Sequence, residues 1–212
     1  MMVVLSDFDG TIVQIDTAAY VLEQFAEGDW RQFDEKLVTG EIGLEECIRR
    51  QFSLVKAPEK EILDKVILVT DFRPNFEALV GYCRTNNVPF VAVTGGLDFI
   101  VRYFLRPWRR VVRIIAPEAK CSSRGIEFKN FPKLHNRASH NFKDDLVRNH
   151  RKRGKKAVYI GDSLNDYEAV RNADFGFAVR HSELALKCKI DGIECNEIEN
   201  FREVIEKLRA WE

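Results

Sequence analysis

The feature that most constrains this chain is a set of short, almost uninterrupted apolar runs. They are "VVL" (Val3 to Leu5), "PFVAV" (Pro89 to Val93), "AVYI" (Ala157 to Ile160) and "FGFAV" (Phe175 to Val179), with "VVRII" (Val111 to Ile115) as a further candidate. A strand buried on one face alternates apolar and polar residues; a strand covered on both faces need not. Such runs predict parallel strands with helices above and below. The segments between them have helical periodicity. "NFEALVGYCRTNN" (Asn75 to Asn87) sets Phe76, Leu79, Val80 and Cys83 on one face, after Pro74. Asn165 to Ala173 and Asn200 to Trp211 behave alike. Strand and helix in alternation predict an α/β fold with a parallel sheet.

From about Asp16 to Thr70 the strand signals stop. Helical periods follow, around Ala18 to Phe25, Arg31 to Val38, Leu44 to Leu54 and Glu59 to Val69, punctuated by Gly28, Gly40, Gly43 and Pro58. So long a helical excursion between two strands predicts a lid. The chain then divides into an α/β core of residues 1–15 and 71–212 and a helical cap of residues 16–70. "AKCSSRGIEFKN" (Ala119 to Asn130) carries turn chemistry at Ser122 to Gly125 and predicts a β-hairpin projecting from the sheet.

Totals exclude several classes. Lys plus Arg number 33 and Asp plus Glu number 33 in 212 residues, a balance that gives no support for a nucleic-acid partner or an anionic membrane surface. The basic runs Arg106 to Arg110 and Arg151 to Lys156 read as solvated turns. Five cysteines at wide spacing form no CxxC pair, which argues against a zinc ribbon or a disulfide framework and for a reducing compartment. Cys121, His135 and His140 match no metal-ligand spacing. No targeting segment or membrane-length apolar run is visible, so a cytoplasmic protein, monomer or homodimer, is expected.

The acidic residues are placed where chemistry belongs. In open α/β sheets ligands bind beyond the carboxyl ends of strands. "DFDGT" (Asp7 to Thr11) follows the first run, and "GDSLND" (Gly161 to Asp166) follows "AVYI" with the same grammar. Asp162 and Asp166 are four apart, so both are expected to face one cavity over a first helical turn. A calcium loop does not fit "DFDGT", because Ile12, Val13 and Ile15 stand where further ligands would be needed. "VTGG" (Val93 to Gly96) adds the Thr94 hydroxyl and the backbone N–H groups of a Gly pair, a local anion site. A cation should complete the set; Lys143 in "NFKDD" and Lys133 are the candidates.

These four motifs, "DFDGT", "VTGG", the lysine of "NFKDD" and "GDSLND", occur in the order found in the haloacid dehalogenase-like (HAD) superfamily of phosphatases, which the chain resembles over essentially its whole length. The resemblance implies a Rossmann-like parallel-sheet core with an inserted helical cap. It implies that Asp7 is a nucleophile forming an aspartyl-phosphate and that Asp9 is the acid/base. Asp7, the Asp9 backbone carbonyl and Asp162 would hold Mg²⁺, with Asp166 in or beside that shell. Thr94, Gly95, Lys143 and Asn165 would bind the phosphoryl oxygens of a small phosphorylated metabolite.

The cap stretch "TGEIGLEECIRRQFSLV" and "VTGGLDF" are similar to the phosphoserine phosphatase branch. That branch carries a glutamate and an arginine that read an amino acid; here Asp16 and Gln51 stand at those places, with Arg49 and Arg50 out of register. Asp16, "GGLDF" and the uncharged Gln51 look more like the methionine-salvage branch, which acts on a hydroxy-keto-methylthiopentenyl phosphate. Asp16, Arg50 and Gln51 are therefore the specificity candidates. The rivals are a phosphoserine phosphatase, a phosphotransferase using the same residues, and a non-catalytic module that only binds phosphorylated ligands.

Overall fold

The computed structural model describes residues 1–211. In chain order its elements are β1 (Met2–Ser6), α1 (Thr17–Phe25), α2 (Gln32–Val38), α3 (Leu44–Phe52), α4 (Glu59–Val66), α5 (Phe76–Thr85), β2 (Phe90–Val93), α6 (Asp98–Phe104), β3 (Val112–Ile115), β4 (Glu118–Ser122), β5 (Gly125–Lys129), α7 (Phe142–Lys152), β6 (Lys156–Gly161), α8 (Tyr167–Asn172), β7 (Phe175–Val179), α9 (Glu183–Asp191), β8 (Asn196–Ile198) and α10 (Phe201–Ala210).

The apolar runs become parallel strands of one six-stranded sheet, in the order β3-β2-β1-β6-β7-β8. Their continuity has the predicted cause. Val4, Ala92, Val158 and Phe177 bury themselves under α5, α6 and α10. Val3, Leu5, Val91 and Tyr159 point the other way, under α7, α8 and α9. Each fully buried aliphatic side chain contributes about 1.5–3 kcal/mol of burial, so every position of a central strand supports the sandwich. This α/β sandwich is the expected fold class.

Strand order also locates the site. β2 pairs on one side of β1 and β6 on the other, so the connections diverge there and leave a crevice beyond the strand ends. Ser6 is in register with both Ala92 and Ile160. Asp7, Thr94 and Asp162 therefore leave the sheet at one level.

Helices α1 to α4 occupy the interval between β1 and α5. The chain leaves and returns through a short antiparallel stem. Val13 bridges Phe72, Gln14 N–H donates to Asp71 O (2.9 Å), and Arg73 N–H donates to Ile12 O (2.8 Å).

The predicted hairpin exists as β4–β5 but does not stand free. It forms its own two-stranded sheet and packs on α3, with the Phe128 ring edge-on to Phe52 at 5.5 Å. Gly125 has φ of +118°, and a Cβ there would lie 2.1 Å from the Ser53 carbonyl oxygen. Glycine meets both conditions. Periodicity did not predict α9 or β8; β8 has only three residues, too few to show a period. The run Arg151 to Lys156 closes α7 and opens β6 as a largely exposed turn. Among the described residues, no helix is long and apolar enough to cross a membrane.

Candidate active site

Asp7 follows the last residue of β1 and is 4% exposed. Its Oδ1 accepts the Phe8 backbone N–H at 2.8 Å, and its Oδ2 lies 2.8 Å from Lys143 Nζ. The chain then turns sharply. Gly10 takes φ of +66°, and a Cβ there would sit 2.1 Å from Asp162 Oδ2. Glycine at this point allows the turn and lets the second acidic cluster come close. Arg73, which nothing in the sequence singled out, braces the turn. Its guanidinium donates to the carbonyls of Gly10 (2.6 Å), Thr11 (2.8 Å) and Glu199 (3.2 Å).

Asp9 lies in a different environment. Its Oδ1 accepts the Thr17 backbone N–H at 3.0 Å and the Thr17 hydroxyl, and its Oδ2 accepts the Thr94 hydroxyl at 3.1 Å. Thr94 in turn accepts the Gly96 N–H at 2.9 Å. Thr94 thus clamps Asp9 as well as facing the cavity. Thr17, from the first turn of α1, was not anticipated. Its signal is the adjacent Asp16, which caps α1 by accepting Ala19 N–H at 2.8 Å and so turns Thr17 inward. Burial, then Asp16, raises the Asp9 carboxyl to about 6 against the hydrogen bonds from Thr17 and Thr94.

Lys143 stands in the first turn of α7 and is 5% exposed. Its ammonium bridges Asp7 and Asp166, 2.8 Å from each. Lys133, the rival cation, is exposed and lines no part of the site. Asp166 departs from expectation. It does not share the cavity with Asp162 but turns beneath the floor at 0% exposure. There it takes hydrogen bonds from Lys143, from the Tyr159 hydroxyl (2.7 Å) and from the N–H groups of Asp162 and Ser163. The cause is local. Ser163 and Asp166 cap each other reciprocally, which draws the Asp166 side chain back over the turn. Tyr159 reads as core in the sequence; its hydroxyl gives it away only once Asp166 lies under the sheet.

Burial works to raise Asp166, but Lys143 and these hydrogen bonds outweigh it and hold the carboxyl low. Burial likewise opposes the Lys143 charge, and Asp166 and Asp7 more than restore it. Asp7 and Asp162 are left with the excess negative charge. Burial, then Asp166, pushes Asp7 well above the ordinary carboxylate range despite Lys143. The same two causes raise Asp162 to about 7, although Thr11 Oγ1 donates to its Oδ1 at 2.7 Å.

Carboxylate oxygens of Asp7, Asp162 and Asp166 lie within 4.8 Å of one another. This set is all hard oxygen and carries more negative charge than Lys143 neutralises. Asp166 spends its lone pairs on donors, so Asp7 and Asp162 are the open ligands. The chemistry fits a small divalent cation that keeps several waters.

A cavity of about 310 Å³ rises from this floor to the inserted helices. Asp7, Asp9, Thr94, Gly95, Lys143, Asp162 and Asn165 line its base, and Asp16 and Gln51 line it from the insertion. Arg50 does not. It is exposed on the far side of α3 and pairs with Glu46 one turn earlier; neighbours on a helix point about 100° apart, so inward Gln51 turns Arg50 outward. Arg49 is held by Glu45, the Phe128 carbonyl and the Phe131 ring. The insertion also brings in Asp34, hidden in the sequence among the charges of α2, whose Oδ1 accepts Gln51 Nε2–H at 2.8 Å.

Comparison with known proteins agrees with the motif order. The haloacid dehalogenase-like hydrolase profile matches residues 4–171. A Bacillus pumilus (strain SAFR-032) protein named 2-hydroxy-3-keto-5-methylthiopentenyl-1-phosphate phosphatase is 28% identical over 221 residues, covering 99% of this chain and 94% of its own length. A protein of the same name from Bacillus thuringiensis (strain Al Hakam) is 28% identical over 211 residues, covering 97% and 95%. Among solved structures, a substrate-bound phosphoserine phosphatase complex superposes with a TM-score of 0.70 at 19% identity, covering 97% of both chains. A phospho-aspartyl intermediate analogue of phosphoserine phosphatase gives 0.69 at 20%, covering 97% and 98%. At these identities the structural likeness speaks for the fold. With the profile spanning most of its length, the chain belongs to the haloacid dehalogenase-like hydrolase family.

Proposed function

We propose that this chain is a Mg²⁺-dependent phosphomonoester hydrolase working through a phosphorylated Asp7. The observation that carries the reading is the contrast between two carboxylates of one loop. Asp7 is bound to the Lys143 ammonium beside Asp162, while Asp9 is held apart by Thr17 and Thr94, its carboxyl raised by burial to about 6. Such a division lets one act as nucleophile and the other carry a proton.

Asp7 and Asp162 carboxylates, with the Asp9 backbone carbonyl, would hold the Mg²⁺; Asp166 supports them from below. When bound, the ion supplies positive charge against the phosphoryl oxygens. The Asp7 carboxylate attacks phosphorus and the bond to the leaving oxygen breaks. Asp9 gives that oxygen its proton. Asp9 then takes a proton from water, which attacks phosphorus and releases Asp7 and inorganic phosphate. Lys143, Thr94, the Gly95 N–H and Asn165 hold the phosphoryl oxygens through both steps, so positioning and charge supply the catalysis. Residues 16–70 act as a cap that excludes water from the phosphoryl-enzyme. The names of the relatives favour a small keto- or sugar-type phosphate of the kind those proteins act on.

The test is a panel of phosphomonoesters, with an aryl phosphate included, assayed with Mg²⁺, with chelator, and with Mg²⁺ restored. Turnover that follows the metal supports the reading. Turnover indifferent to chelator removes the metal from it, and no turnover on any ester overturns it.

A further inference from the structure

The cap end of the cavity points to the class of leaving group. Resting on the phosphatase reading above, the geometry points to a substrate whose leaving group has an apolar body and ends in a hydrogen-bond donor, with no second negative charge, and assigns Asp34 and Gln51 as the residues that read that end. The charges come first. Lys143 is the one cation lining the cavity among the described residues, and it lies at the base, committed to Asp7 and Asp166. The insertion contributes two carboxylates, Asp16 and Asp34, and no cation. A carboxylate on the substrate would have to be desolvated against these like charges with nothing to pair it.

The acceptors come second. Gln51 is 6% exposed and spends its Nε2–H on Asp34 Oδ1. Its Oε1 has no partner among the described residues, and neither does Asp34 Oδ2. Neither oxygen is sealed inside the fold, so both are open acceptors in the cavity, where a hydroxyl or ammonium on the ligand would supply a donor. The remaining wall of the insertion, Leu22, Leu37, Leu44, Ile48 and Phe52, is apolar. It suits an apolar segment between phosphate and donor.

The experiment compares kcat/KM, with Mg²⁺, on ω-hydroxyalkyl, ω-aminoalkyl and ω-carboxyalkyl phosphates of one chain length, with an aryl phosphate as reference. The carboxylate ester should fall at least about tenfold below the better of the other two, since like-charge contact costs several kcal/mol; the hydroxyl and ammonium arms tell the two donors apart. Gln51→Arg combined with Asp34→Asn should reverse the order and favour the carboxylate ester. Asp34→Asn alone is isosteric, keeps the packing of α3 and should narrow the ratio if the double variant does not fold. A carboxylate ester turned over as well as the others, or a ratio unmoved in folded variants, overturns the assignment while aryl phosphate turnover leaves the phosphatase reading standing. Loss of aryl phosphate turnover in the wild-type chain overturns both.

Discussion

The floor and the ceiling of the cavity are built on opposite plans. The floor is a closed ionic lattice: Asp7, Lys143 and Asp166 are between 0% and 5% exposed and satisfy one another at the ends of β1 and β6 and the start of α7. The ceiling is a set of short helices, and α2 has no fully buried residue at all. In the floor Asp7, Asp9, Lys143 and Asp166 are held by partners within the fold, the preorganisation that the proposed phosphoryl transfer would draw on. In the ceiling polar acceptors are left over. On the proposed function, the chemistry rests on the part of the cavity with most internal ion pairs and the choice of substrate on the part with fewest.

This contrast can be broken from either side. The largest effect should come from Asp7→Asn, with kcat lower by at least about 10³-fold and an unchanged circular dichroism spectrum; activity within tenfold of wild type would remove Asp7 from the chemistry. Asp9→Asn should cost about 10²–10⁴-fold in kcat, with the pH dependence near 6 lost. Lys143→Met leaves Asp7 and Asp166 buried without their cation. Breaking such a pair costs about 3–5 kcal/mol, measurable as a fall in urea midpoint at constant slope. A midpoint shift no larger than that of a surface variant would mean that the lattice contributes nothing to the fold.

A smaller effect concerns pH. Asp9 at about 6 and Asp162 at about 7 both lie above the ordinary value of 3.8. Between those values the folded state holds protons that the unfolded state has released, so the stability they contribute falls as pH rises through the window. The low Asp166 acts with the opposite sign, and only as pH falls below 3.8. Chelator-treated protein should lose stability from pH 5 to pH 8, and Mg²⁺ should raise Tm more at pH 8, where its ligands are unprotonated. Equal Mg²⁺ shifts at both values would count against Asp162 as a ligand. The smallest effect is expected in the ceiling: Arg50→Ala should alter kcat/KM less than twofold and stability by no more than about 0.5 kcal/mol.

Much of the floor was legible because its chemistry follows strand ends. A run that is apolar on both faces must be a covered parallel strand, and carboxylates just beyond it must face the crevice. Lys143 is set ahead of Lys133 by its place at the start of the helix leading to the Asp162 strand and by family order, since spacing alone does not separate them. What stayed hidden are contacts between distant segments: Tyr159 beneath Asp166, Arg73 under the Gly10 turn, and Thr17 on Asp9. A hydroxyl in an apolar strand or an arginine in a loop has no periodicity to betray it. The ceiling was least legible. Asp34 and Gln51 are polar residues on amphipathic helices, where a solvated face is the ordinary reading, and their burial depends on how α2 and α3 meet.

The most direct measurement is an acid-quenched single turnover on excess enzyme with Mg²⁺, followed by peptide mass mapping. An aspartyl-phosphate at Asp7 requires one added phosphoryl group on the peptide containing Asp7, appearing before inorganic phosphate and absent from Asp7→Asn. Full release of phosphate with no phosphorylated peptide at any time would contradict it.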